Sequence, residues 1–129
     1  MIKCPVCDEY EFEGDSNNDV CDICGWENDG LQYDDHDDWE GPNRISVNEA
    51  RLEYSLLGNE ATKSETLQAK QLYLKNRGDI RAKYKGVDYQ IISEKMEREL
   101  EVEHERYVNT LTAISQRVTR SEKKKAQAV

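Results

Sequence analysis

All four cysteines of this chain fall in two C-x-x-C knuckles near its start, Cys4-Pro5-Val6-Cys7 and Cys21-Asp22-Ile23-Cys24, with 13 residues between the pairs. Paired knuckles at such a spacing fold a short chain round a tetrahedral ion, and four thiolates suit zinc. Four protein sulfurs fill the shell and leave no position for water or substrate. The site therefore reads as structural, with one Zn²⁺ per chain held by Cys4, Cys7, Cys21 and Cys24. C-x-x-C is also a redox motif, and two disulfides are a further alternative. A redox pair normally opens a helix in a βαβ context, and Cys4 stands too near the start for a strand to precede it. No signal-peptide pattern is visible, and no apolar run approaches the ~20 residues that a membrane span needs. The expectation is a soluble protein of a reducing cytoplasm, with no membrane partner and with thiols free for metal.

Charge divides the chain. Residues 1–43 hold 14 acidic residues against one basic residue, Lys3, a balance of −13. Residues 44–129 hold 17 basic and 13 acidic residues, a balance of +4. Nucleic-acid-binding zinc modules place Lys and Arg round their knuckles. Here Asp8 and Asp22 stand there, so no nucleic-acid partner is expected. The basic stretch Arg77, Arg81, Lys83 and Lys85 reads as a solvated loop.

The pattern along the chain predicts a small zinc-ribbon or zinc-knuckle module with short β-hairpins, then an all-α extension of about three helices, the last one long. Tyr10, Phe12 and Val20 are strand candidates round a polar tip at 15–19, and Trp26 is expected to cover the metal site. Residues 27–43 form an acidic loop without periodicity. Ser46-x-x-Glu49 is a capping box for a helix ending near Leu57, with Gly58 as its stop. Ser64 can cap a second helix over about 65–77, carrying Leu67, Leu72, Tyr73 and Leu74 and ended by Gly78. A third runs from about Asp88 to Arg120, with Ile92, Met96, Leu100, Tyr107, Leu111, Ile114 and Val118 on one face. Three parts follow: an acidic metal module at 1–45, a helical region at 46–120 packed on it or projecting from it, and a basic disordered tail at 121–129.

Beyond the knuckles, Trp26-Glu27-Asn28-Asp29, Gln32-Tyr33, Asp35-His36-Asp37, Gly41-Pro42-Asn43 and Ser46-Val47-Asn48-Glu49-Ala50-Arg51 follow in order, and the match they make from Trp26 to Arg51 needs no gap. In these elements residues 4–54 resemble the bacterial cysteine-rich CPCC domain. Val6 stands where family members often carry a further cysteine, His36 replaces a usual proline, and Glu40 replaces a usual glycine. After about Leu57 the resemblance ends. It implies a small bacterial metal-binding domain without an established reaction, similar to accessory or defence proteins often met beside toxin genes.

No acid–base pair, nucleophile context or glycine-rich phosphate loop is present, so no catalytic residue is assigned and no enzyme is expected. The leading expectation is a zinc-stapled protein–protein interaction protein, most specifically an immunity protein that inhibits a basic nuclease toxin. Tyr33 and Trp39 would anchor the partner, with Asp34, Asp35, Asp37 and Asp38 as a steering rim. A zinc-containing adaptor or regulator is the alternative, and a nucleic-acid-binding zinc ribbon a lesser one. The long helix offers a further route to self-association.

Overall fold

Two short strands flank the first knuckle in the computed structural model, which describes residues 1–14 and 18–127. β1 (Ile2–Lys3) pairs antiparallel with β2 (Glu11–Phe12), Ile2 facing Phe12 and Lys3 facing Glu11. Phe12 belongs to a strand, as expected, and Val20 makes an isolated bridge to Glu27. β1 does precede Cys4, contrary to expectation. Two residues suffice because the backbone turn of the knuckle, and not a periodic side-chain pattern, sets this pairing. Of the polar tip expected at 15–19, residues 15–17 lie outside those described.

The chain divides into two units, Met1–Gly58 and Asn59–Val129. The division falls after Gly58, so the first helix expected in the helical region joins the metal module. In the first unit the segment 27–43 contains a short helix, α1 (Gly30–Asp34), that the sequence had not revealed. Asp29 caps it, its carboxylate accepting from the Gln32 backbone N–H. α2 (Val47–Leu57) starts as expected: the Ser46 side chain accepts from Glu49 N–H, and Glu49 returns a bond to Ser46 N–H. Gly58 follows its last residue. Cys4, Phe12, Cys21, Trp26, Ile45, Val47, Ala50 and Leu56 form the apolar core of this unit. α2 turns Ala50, Glu53 and Leu56 inward, and Tyr54 is partly buried at 37% exposure.

The second unit is a helical hairpin. α3 (Lys63–Lys83) and α4 (Tyr89–Gln127) run antiparallel, as cross-helix bonds from Glu65 to Arg117, Asn76 to Glu103 and Lys83 to Glu99 require. The Tyr73 and Tyr107 rings stack at 4.8 Å, and Leu100, Leu111 and Ile114 are buried. α4 is 39 residues, about 58 Å at ~1.5 Å per residue.

Three expectations for this unit are corrected. α3 begins behind Thr62, not Ser64, and passes through Gly78 to Lys83. A glycine inside a helix costs only about 1 kcal/mol, which packing on α4 offsets. Its buried face is Thr66, Tyr73 and Arg77, so Leu67, Leu72 and Leu74 are rotated outward. Consequently Arg77, Arg81 and Lys83 are helical and Arg77 is buried, whereas Lys85 lies in the turn after α3. The segment expected as a disordered tail is helical as far as Gln127, with residues 128–129 outside those described. Glu, Lys, Ala and Gln are strong helix formers, and cations favour a helix C-terminus. No helix among the described residues is long and apolar enough to cross a membrane.

Candidate metal centre

The two knuckles are built alike. In the first, Cys4 N–H donates to Tyr10 O at 2.7 Å and Asp8 N–H to Cys4 O at 2.9 Å. In the second, Cys21 N–H donates to Trp26 O at 2.8 Å and Gly25 N–H to Cys21 O at 3.0 Å. The residue after each second cysteine takes a left-handed conformation, with φ 61° at Asp8 and 81° at Gly25. Glycine adopts it freely and Asp is among the few other residues that tolerate it. The shared turn aims backbone N–H groups at sulfur: Ile23 and Cys24 N–H each lie 3.4 Å from Cys21 Sγ. Glu9 N–H serves Cys7 in the same way, and Trp26 N–H serves Cys24.

These hairpins bring Cys4, Cys7, Cys21 and Cys24 together, with all four Sγ atoms within 4.8 Å of one another. Cys4–Cys24 and Cys7–Cys21 are both 3.6 Å apart. A disulfide needs about 2.05 Å, and all four thiols are free. A tetrahedron of sulfurs about 2.3 Å from a central ion has edges of about 3.8 Å, so the cluster fits such an ion. Cys4 and Cys21 are buried, and Cys7 and Cys24 half-buried.

Burial pushes the Cys24 thiol far above its ordinary value, opposed by Trp26 N–H and reinforced by the Cys4 sulfur beside it. Burial also raises Cys7. Cys21 feels the same upward push from burial, yet the N–H groups of Cys24 and Ile23 outweigh it and leave that thiol below its ordinary value. A bound divalent cation would supply the missing positive charge and hold all four sulfurs as thiolates. α2 borders the cluster: Arg51 Nε donates to Pro5 O at 2.7 Å, and the nearby Glu9 and cysteines reinforce the rise that burial imposes on the Tyr54 hydroxyl. Trp26 is buried, and its backbone serves the second knuckle through both N–H and C=O.

The acidic loop is ordered by residues that the sequence had marked only as motif positions. Gln32 is fully buried; its Nε2 donates to Asp38 O and Ile45 O, both at 2.8 Å. Asn43 Nδ2 donates to Glu27 O at 2.8 Å and to Gln32 Oε1 at 2.9 Å, while its own Oδ1 accepts from Glu27 N–H at 2.7 Å. Gly41 passes so close that a Cβ there would collide with Gln32 Cδ. The Gln-aromatic and Gly-x-Asn elements are thus one buried amide bracket that replaces a regular ladder for the loop backbone. Their repeated polar character at short spacing was the only signal in the sequence. Glu40, in place of glycine, keeps a negative φ, so the loop needs no left-handed residue there.

Asp34, Asp35 and Asp37 are exposed round this bracket, and Tyr33, Asp38 and Trp39 are half-buried. Several of the carboxylates also hold the loop. Asp35 Oδ1 accepts from Asp37 N–H at 3.0 Å, Asp38 Oδ1 from Glu40 N–H at 3.0 Å, and Asp37 Oδ1 from Asn48 Nδ2 at 2.8 Å.

Neither the curated proteins nor the solved structures include a match to this chain. A family model described as cysteine-rich CPCC matches residues 2–72. The match starts at β1 and ends at Leu72, inside α3, so it runs further than the resemblance at 4–54. With more than half of its 129 residues inside that match, the chain belongs to the cysteine-rich CPCC family.

Proposed function

We infer that the protein is a non-catalytic zinc ribbon that binds another protein, and that its partner is a basic enzyme, most specifically a nuclease toxin inhibited by it as an immunity protein. Zinc is the ion that best suits four thiolates at tetrahedral spacing, and a closed shell of this kind holds a fold without opening a reaction site. Such thiolates persist in a reducing compartment, consistent with a bacterial cytoplasm. The observation that carries the binding reading is the acidic loop. Its backbone is fixed by Gln32 and Asn43, while Asp34, Asp35 and Asp37 face solvent. A rigid acidic surface meets a basic cleft without first losing loop entropy, and its field speeds the encounter.

A pulldown from the native host identifies the partner, and kinetics with that partner test the surface. Replacing Asp34, Asp35, Asp37 and Asp38 together by Asn should slow association by about 10–100-fold at low salt and flatten its salt dependence. Trp39→Ala should instead speed dissociation by about 30-fold or more. Unchanged kinetics in both variants would reject this placement. A partner that is not a basic enzyme would favour the alternative reading, a zinc-containing adaptor or regulator. The helical hairpin of the second unit favours that alternative, since it offers a second surface.

The same charge bears on nucleic acid. Asp8 and Asp22 are exposed on the knuckles. At ~150 mM salt the protein should show no measurable DNA or RNA binding in a fluorescence anisotropy titration. A micromolar, salt-sensitive affinity mapping to the knuckles would instead support a nucleic-acid-binding ribbon.

A further inference from the structure

One face of the α3–α4 hairpin is an open groove, with recesses of 620 Å³ and 420 Å³ that share Val102. Ile80 on α3 and Val102, Thr110 and Ala113 on α4 line these recesses, and Ala69 and Leu72 line a third of 80 Å³ that shares Arg106 and Thr110 with the largest of the three. Leu72 is 52% exposed and Val102 57%. Ion pairs cross between the helices towards each end, Glu65–Arg117 at 2.5 Å and Lys83–Glu99 at 2.8 Å. Between them Leu72 and Val102 lie among Glu105, Arg106 and Asn109, with small residues at Ala69 and Ala113 where another helix could approach closely.

Charge along α4 indicates what covers it. Residues 94–105 carry six glutamates against Lys95 and Arg98, a balance of −4. Residues 106–124 carry Arg106, Arg117, Arg120, Lys123 and Lys124 against Glu122, a balance of +4. A helix that is acidic in one half and basic in the other is complementary to its own inverted copy. Laid parallel, two copies would set like charge on like.

We propose that this groove is a self-association surface, on which a second copy of the chain packs hairpin to hairpin about a twofold axis near Asn109, with α4 antiparallel to α4. A twofold contact uses the same patch on both copies, as a self-complementary surface demands. The 21 residues of α3 give a face about 31 Å long, and two helices of ~10 Å give it a width of about 20 Å. Two such faces cover about 1,200 Å², the size at which specific interfaces begin. The pairing is independent of the acidic-loop reading, because it uses only residues of the second unit.

Sedimentation equilibrium of the full, zinc-loaded chain tests it. The expected result is a monomer–dimer equilibrium with a Kd on the order of 1–10 μM, weakened by salt. Val102→Glu and Leu72→Glu should each raise that Kd by about 100-fold or more, since every dimer would bury two added carboxylates. Both sites are exposed in one chain, so helix content by circular dichroism should stay unchanged. Leu31→Glu, at an exposed apolar site of the first unit, should leave the dimer intact. A chain monomeric at 100-fold above that range would overturn the proposal. So would a dimer indifferent to both groove variants, or one that salt strengthens.

Discussion

Cys21→Ser should release the metal and unfold residues 1–58 while α3 and α4 stay helical. Among the described residues the first unit has two strands of two residues each and two helices of five and eleven residues. Two of its buried core residues, Cys4 and Cys21, belong to the four-sulfur cluster that can hold the ion. Binding zinc at a structural site contributes about 10–16 kcal/mol of apparent folding free energy, comparable to the whole stability of an ordinary domain. Losing one thiolate also strips Cys21 Sγ from the N–H groups of Ile23 and Cys24, which it now accepts. Hydrogen exchange resolves the outcome by segment. Protection should vanish across the knuckles, the acidic loop and α2, and persist in the hairpin. Protection retained at Cys4–Trp26 in the variant would mean that the fold does not depend on the metal.

Gln32→Ala should destabilise the first unit by roughly 3–5 kcal/mol, because it strands the carbonyls of Asp38 and Ile45 and one amide hydrogen of Asn43. Gly41→Ala should have a similar effect by another route: its Cβ would collide with the same Gln32 side chain. Asp35→Asn is the control, since its exposed oxygen can still accept from Asp37 N–H and little stability should be lost. Zinc-loaded protein in urea, followed by Trp fluorescence, measures all three. A Gln32→Ala midpoint equal to that of the native chain would show that the loop is held by something other than the amide bracket.

The metal cluster and α2 were legible because their signals are local and chemical. Cysteine spacing fixes which sulfurs can meet, and Ser46 with Glu49 carries both halves of a cap within four residues. The amide bracket was not legible. Gln32 is polar, and hydropathy places polar residues outside, yet here it is buried to satisfy backbone groups that no ladder reaches. α1 was too short to show a period and depends on the Asp29 cap. Of the four α3 residues that the sequence singles out, Tyr73 is buried where it stacks on Tyr107, whereas Leu67, Leu72 and Leu74 stay more exposed. Tertiary contact likewise overrode Gly78 as a stop. The lysine-rich end reads as a tail because termini are commonly unstructured, yet its Glu, Lys, Ala and Gln are helix formers.

The four-sulfur zinc staple is the claim on which the first unit rests, and X-ray absorption at the zinc edge, on protein purified without added metal and quantified for zinc, tests it most directly. The expected result is one zinc per chain in a shell of four sulfurs at about 2.3 Å. A chain free of zinc with its cysteines oxidised in pairs, or a zinc shell containing nitrogen or oxygen in place of a sulfur, would contradict it.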